Sequence, residues 1–312
     1  MIFQMISMEK ILAEQTRFNY QYKEKNNEQS REILKKLSFT DPVYVLKGGG
    51  NYIILDGFAR VNALKEKNKV EGDKVIPAFV LTSEELTYPV HLSIILKQDL
   101  QLQLSFSEKV SAFHLLIQRY NNIPQDAILD DLSLPAGKEY KRVYTALKNA
   151  SKEWHVFFTG HRVPGRRIKT IIQSADLGDI EPLLSLDFGI NRLEQAALML
   201  SESAKRDGVT TKALLEDLLL TICEDHRSEN FFQMLYEYRY PLISTYQKKL
   251  HLLINKMNVP RPVQFDYDKE AERPGINLIF HINKASDLDE SENWLSQHRN
   301  QILSFLTERL KP

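Results

Sequence analysis

The stretch DPVYVLKGGGNYIILDGFARVNALKEKNKVEGDKVIPAFVL, residues 41–81, decides the fold. A β-rich run, Pro42 to Leu46, reaches a turn at Gly48-Gly49-Gly50. A second run, Tyr52 to Leu55, carries β-branched and aromatic residues bounded by glycine, the pattern of a strand. It stops at Asp56-Gly57. Ala59 to Lys67 then reads as a helix with Val61, Ala63 and Leu64 available for burial. Val75 to Leu81 gives a further strand. Asp56-Gly57-Phe58-Ala59-Arg60 therefore lies where a strand hands over to a helix. Free backbone N–H groups and the helix dipole can hold an anion there, and an arginine one turn in can clamp a phosphate. The competing reading of Gly57 and Arg60 is a tight turn followed by a solvated arginine.

This order of strand, hairpin, strand, D-G-x-x-R, helix and V-I-P-A-F-V strand resembles the N-terminal domain of the ParB and sulfiredoxin superfamily. The matching loop of the ParB branch reads G-E-R-R-x-R-A and holds the phosphates of CTP. Gly57, Arg60 and Ala63 match it; Phe58, Ala59 and Asn62 depart from it. Phe58 stands where sulfiredoxins carry a catalytic cysteine, which argues against peroxiredoxin repair. The resemblance implies a phosphate site at Gly57 and Arg60 with Asp56 beside them. It also brings in Arg17, since an early arginine approaches the nucleotide in that family; a surface arginine is the plainer reading. CTP with Mg²⁺ is the cofactor the resemblance implies. However, the family's E-N-x-x-R box is replaced by Ile94-Ile95-Leu96-Lys97-Gln98-Asp99, which has no E-N pair.

The chain has 312 residues, enough for two or three domains, with 43% hydrophobic and 26% charged residues, as in ordinary globular proteins. No apolar run approaches the roughly 20 residues of a membrane span. The start, MIFQMISMEKILAEQ, lacks the basic region and cleavage site of a signal peptide. The one cysteine, Cys223, lies in the apolar run LLLTICEDH and makes no disulfide framework or zinc cluster. A cytoplasmic protein is expected, with no metal site and no catalytic residue assigned.

The middle of the chain reads as helical. A polar helix is expected over about Asn27 to Leu37, and a helical region over Ser83 to Leu104. In LSFSEKVSAFHLLIQRY, residues 104–120, Ser105 or Ser107 can cap a helix whose stripe is Val110, Phe113, Leu116, Ile117 and Tyr120. Glu108 takes the acidic position of the ParB L-x-P-x-E-x-A box. His114, beside the stripe, has no second metal ligand at helical spacing.

Pro124 to Leu132 is a short helix, residues 133–137 a turn, and Lys138 to Ala150 a longer amphipathic helix. Two helices joined by a short glycine-containing turn form the helix-turn-helix outline, in which the second helix enters the major groove. From Ala136 to Ile172 the bases are Lys138, Lys141, Arg142, Lys148, Lys152, Arg162, Arg166, Arg167 and Lys169, against Glu139 and Glu153. Nine minus two leaves +7, although the whole chain has formal net charge zero. That local excess is the footprint of a phosphate-backbone contact. His155 and His161 would add to it at lower pH. Arg166 and Arg167 open a helix, where acids are the usual residents, so an anionic partner would explain them. The competing reading is a solvated basic face.

Residues 181–224 read as helical scaffold, with Gly208 ending one helix and Thr210 or Thr211 capping the next. Phe231 to Pro241, FFQMLYEYRYP, offers base stacking or, more simply, core packing. The end of the chain reads as a helix (about Ser244 to Met257), two strands (Val263 to Tyr267 and Ile276 to Ile282) and a last helix (about Asp289 to Leu310). It resembles the small dimerisation unit that ends many ParB proteins. Two strands alone are marginal, and a second copy would supply the missing partner.

The expected fold is α+β: a small mixed-sheet ParB/sulfiredoxin-like domain over 1–90, an all-helical domain with the helix-turn-helix over 91–240, and an αββα unit over 241–312. The expected function is that of a ParB-like homodimer binding DNA in partition, nucleoid organisation or regulation, with Lys138, Lys141, Arg142, Lys148, Arg166 and Arg167 on the phosphates. Two alternatives stand. One is a nucleotide-dependent enzyme of the superfamily (phosphoryl transfer, NTP hydrolysis or nuclease). The other is an interaction scaffold that has lost both activities.

Overall fold

Glycine sets the first hairpin. Gly49 and Gly50 both take left-handed backbone, φ 56° and 87°. This is the conformation that lets a two-residue turn follow the twist of its strands. In the computed structural model, residues 1–12, 42–67, 75–222, 227–266 and 276–309 are described. Strands β1 (Ile2–Ser7), β2 (Val43–Gly48), β3 (Asn51–Asp56) and β4 (Val75–Leu81) form one sheet in the order β1-β4-β2-β3. Helix α1 (Phe58–Lys67) carries the chain from β3 to β4. The sheet is mixed: β4 runs antiparallel to β1 and parallel to β2, and β2 runs antiparallel to β3. Val43, Val45, Ile54, Leu55, Ile76 and Ala78 are buried with Val61 and Leu64 of α1. The alternating pattern thus puts one apolar row under the helix.

Helices fill the next stretch: α2 (Tyr88–Leu102), α3 (Phe106–Arg119), α4 (Gln125–Asp131), α5 (Lys138–Asn149), α6 (Lys152–Gly160), α7 (Gly165–Ser174), the short α8 (Leu177–Ile180), α9 (Ile190–Asp207) and α10 (Thr211–Leu220). Ser105 and Glu108 make a complete capping box at α3. The Glu108 N–H donates to Ser105 Oγ (3.2 Å), and the Ser105 N–H donates to Glu108 Oε2 (2.8 Å). WHVFF falls within α6, where Trp154 and Phe158 are fully buried. Gly208 leaves α9 with φ 70°, and Thr210 Oγ1 accepts from the Ala213 N–H. Helices α11 (Arg227–Arg239) and α12 (Pro241–Lys256), the antiparallel hairpin of β5 (Val263–Asp266) and β6 (Asn277–Phe280), and α13 (Ala285–Arg309) complete the chain. The last helix starts earlier than the spacing suggested, because Asp287 accepts from the N–H groups of Asn283 and Lys284. Phe231 and Leu235 of α11 are buried, so core packing accounts for Phe231, while Tyr238 is exposed.

The chain is α+β, as the sequence led us to expect. It forms two compact units, residues 1–201 with 209–215, and residues 202–208 with 216–312. Around the terminal hairpin, Met257, Val263, Trp294 and Ile302 make a small core, and Trp294 Nε1 donates to the Met257 carbonyl at 2.8 Å. Among the described residues no helix is long and apolar enough to cross a membrane. Arg17, Cys223 and the polar helix expected over 27–37 lie outside the described residues.

Candidate nucleic-acid interface

Helix α5 separates two faces cleanly. Val143, Tyr144 and Leu147 are buried. Lys138, Lys141, Arg142, Thr145, Lys148 and Asn149 are all exposed. Their spacing of three and four places them along one stripe of the helix, opposite the core. None of the four bases forms an ion pair among the described residues.

Local contacts fix the helix that presents them. Between α4 and α5, Ser133 takes a left-handed φ of 54°, and the Leu134 N–H donates to the Leu129 carbonyl at 2.8 Å. Leu132 and Leu134 are buried, which pins the turn to the core. Tyr144 Oη donates to the Pro135 carbonyl at 2.5 Å, tying the turn to the middle of α5. Burial raises the Tyr144 hydroxyl above its ordinary pKa, so it stays a donor. His114 of α3, half-buried, bonds the Tyr144 carbonyl through Nε2 at 2.8 Å. It is a packing residue of this core.

The start of α7 sits next to this helix because of one glycine. A Cβ on Gly165 would lie 2.4 Å from the Phe106 ring. That ring also packs against Tyr140 and Tyr144 of α5, with centroids 6.2 and 6.3 Å away. Lys169 of α7 reaches Glu139 of α5 at 2.6 Å and lies 5.4 Å from the Tyr140 ring centroid. The acid in the first turn of α5 is thereby neutralised.

The two arginines that open α7 have different surroundings. Arg166 is exposed and makes no ion pair among the described residues. Arg167 turns back onto α9. Its Nε donates to Glu194 at 2.7 Å, and its Nη2 lies 2.6 Å from that carboxylate and 2.7 Å from Asn191 Oδ1. The expectation of two unpaired arginines is corrected for Arg167, whose charge is spent inside the protein. His155 needs a second correction. It is buried, and its Nδ1 bonds Ser107 Oγ at 2.7 Å. Burial lowers its pKa, so it adds no positive charge to this surface. Ser105 Oγ to Thr159 Oγ1 at 2.9 Å completes a polar seam between α3 and α6. The reading of the sequence missed this seam, whose one visible signal is serine at both 105 and 107.

The strand-to-helix junction of the first sheet is built differently from the expected clamp. Arg60 is 8% exposed and Asp56 7%. Arg60 Nη2 lies 3.5 Å from Asp56 Oδ2, and Nη1 donates to the Pro42 carbonyl at 3.2 Å. Gly57 has φ 97°, and a Cβ there would meet Val43 at 2.5 Å. The residue is a glycine because the turn folds back against β2. Neither the solvated arginine nor the open phosphate clamp matches this geometry, since Arg60 is a buried cation whose charge Asp56 balances. The segment in place of the E-N box is also structural. Ile94, Ile95 and Gln98 are buried, Lys97 covers the Tyr44 ring, and Asp99 pairs with Lys109 at 2.7 Å. The residues described at this junction do not fit a magnesium triphosphate as they stand. Among the described residues no group of three metal-ligating side chains comes together.

No protein-family model matches the chain, and no curated protein matches it. Among solved structures, the chain is similar to the C-terminally truncated chromosome-partitioning protein ParB from Caulobacter crescentus, complexed to the centromeric parS site. The identity is 18% and the TM-score 0.30, over 62% of this chain and 98% of that one.

Proposed function

We propose that this chain binds duplex DNA through α5 and the start of α7. One observation carries the reading: Lys138, Lys141, Arg142 and Lys148 form an exposed stripe on the second helix of a helix-turn-helix outline. Arg166 adds a further exposed base on the neighbouring helix. Glu139, the acid that would repel a phosphate from the first turn of α5, is tied to Lys169. Such a stripe supplies the phosphate contacts that position a helix in the major groove; base recognition would fall to the first residues of α5.

In this reading the chain is ParB-like in plan. Residues 1–90 form the sheet domain, 91–240 the DNA-binding helices, and 241–312 a pairing unit. Its role is partition, nucleoid organisation or regulation. Ile279, Phe280 and Ile282 are exposed on or next to the terminal hairpin, where a second copy would cover them. The pocket at Gly57 and Arg60 is read as degenerate, so DNA binding proceeds without CTP.

The test is a titration of the protein with labelled duplex DNA at two salt concentrations, with and without CTP and Mg²⁺. Salt-sensitive binding that ignores CTP is expected. Binding that CTP alters would show a working nucleotide switch. No binding at low salt would overturn the reading.

A further inference from the structure

The two edges of the four-stranded sheet are finished differently. On the β3 side the chain itself closes the edge: Ile11 bridges Tyr52, and the Leu12 N–H donates to the Tyr52 carbonyl at 2.9 Å. On the other side β1 is the last strand. Among the described residues nothing pairs with its outer edge, so alternate N–H and C=O groups of β1 point outward.

Three apolar side chains on that edge are uncovered. Ile2 is 67% exposed, Phe3 56% and Met5 51%, and Val75, opposite Ser7 on β4, is also exposed. On one face of the sheet Phe3, Phe79 and Tyr44 make a continuous aromatic row, with centroids 5.7 and 5.2 Å apart. Lys97 ends that row over Tyr44, 5.1 Å from its centroid. Among the described residues nothing ends the row at β1. Soluble proteins protect such an edge with a lysine, a proline, a bulge or a covering segment. The strand IFQMIS has no charge and no proline, and the register irregularity in this sheet falls between β2 and β3 instead, at Leu55.

We propose that β1 is an interaction edge whose occupant is β1 of a second copy, paired antiparallel about Gln4. The sequence of the strand selects that partner. Turned about Gln4, the pairing sets Phe3 against Met5 of the partner copy on the aromatic face. It sets Ile2 against Ile6 of the partner copy on the face toward α1. The four apolar side chains of the strand, Ile2, Phe3, Met5 and Ile6, then meet one another, and at each end Ser7 faces Met1 of the partner copy, whose ammonium is already paired with Glu85. A two-fold contact of this kind is self-complementary, and it closes after two copies. It joins two sheets into one of eight strands and extends the aromatic row across the axis. The inference is independent of DNA binding and of the terminal hairpin.

Amide hydrogen exchange on the full chain tests this directly. The outward amides of Ile2–Ser7 are expected to gain protection as protein concentration rises, while those bonded to β4 stay unchanged. Protection that does not vary with concentration would overturn the proposal. Sedimentation of a Phe3→Lys, Met5→Lys variant gives the second reading. Both side chains are exposed, so the fold is retained, and the variant's mass is expected to fall below that of the parent at high concentration. Pairing through the terminal hairpin would contribute equally to both proteins, so equal masses at every concentration would sink the β1 contact alone.

Discussion

Arg167 Nη2 lies 2.6 Å from Glu194 Oε2, while Arg166, one residue earlier, projects from the same helix without an ion pair among the described residues. Two adjacent arginines therefore predict opposite phenotypes. Arg166→Ala should remove one phosphate contact and lower the slope of log affinity against log salt by about 0.9. Arg167→Ala should leave that slope alone and reduce stability by roughly 1 kcal/mol, the scale of a well-aligned, partly exposed pair. Binding isotherms at several salt concentrations, with urea midpoints for each variant, separate the two. Equal loss of slope in both variants would mean that Arg167 leaves Glu194 to meet DNA.

Arg60 is expected to matter for folding rather than for ligand binding. Its guanidinium balances the buried Asp56 carboxylate and satisfies the Pro42 carbonyl. Arg60→Ala would take this cation away from a buried carboxylate. The expected loss is about 2–3 kcal/mol, since breaking one side of a buried pair costs more than the pair contributes. Adding Asp56→Asn should recover part of that loss. A single variant as stable as the parent in urea would show that water reaches Asp56 freely.

Much of the fold was legible because it rests on local chemistry. Tandem glycines with β-branched runs marked β2 and β3. Serine at 105 or 107 ahead of an apolar stripe marked the start of α3, and the structure chooses Ser105. The stripe on α5 could also be read from spacing alone. What escaped depends on distant partners. Arg167 is quenched by a residue 27 positions later, and His155 is held by Ser107, 48 positions earlier. Arg60 looked like a loop arginine because nothing local reveals the Pro42 carbonyl above it. Charge counting along the chain therefore overstated the free basic surface, while periodicity located the helix that carries it.

Three histidines predict an acid limb to stability. Burial, with Arg119 nearby, pushes the His91 imidazole down to about 4, and burial lowers His114 and His155 as well. An unfolded histidine titrates near about 6.5. Between those values the unfolded chain binds protons that the folded chain does not, so stability falls as pH falls. The loss begins near pH 6.5 and, for His91, is complete below about 4. For His91 alone the gap is worth on the order of 3 kcal/mol. Urea midpoints measured from pH 7 to pH 4 should show the decline, and His91→Asn should flatten part of it. A midpoint that holds steady across that range would mean these imidazoles titrate as they do in water.

Gly165 links packing to the proposed interface. Its missing Cβ lets the Phe106 ring lie against the start of α7, and the same ring supports Tyr140 and Tyr144 of α5. Gly165→Ala would place a carbon 2.4 Å from that ring. The ring must shift, and α5 and the start of α7 must separate slightly. Overpacking of this kind typically costs about 1–3 kcal/mol. DNA affinity should fall as well, although no charge is altered, because Arg166 and the α5 stripe would no longer share one spacing. The salt slope should fall less than in Arg166→Ala, since the phosphate contacts are displaced rather than deleted. Phe106→Leu in the same chain makes room for the new methyl group and should restore part of both losses. If affinity survives Gly165→Ala while stability drops, α7 does not act with α5 on DNA, and the interface is the α5 stripe alone.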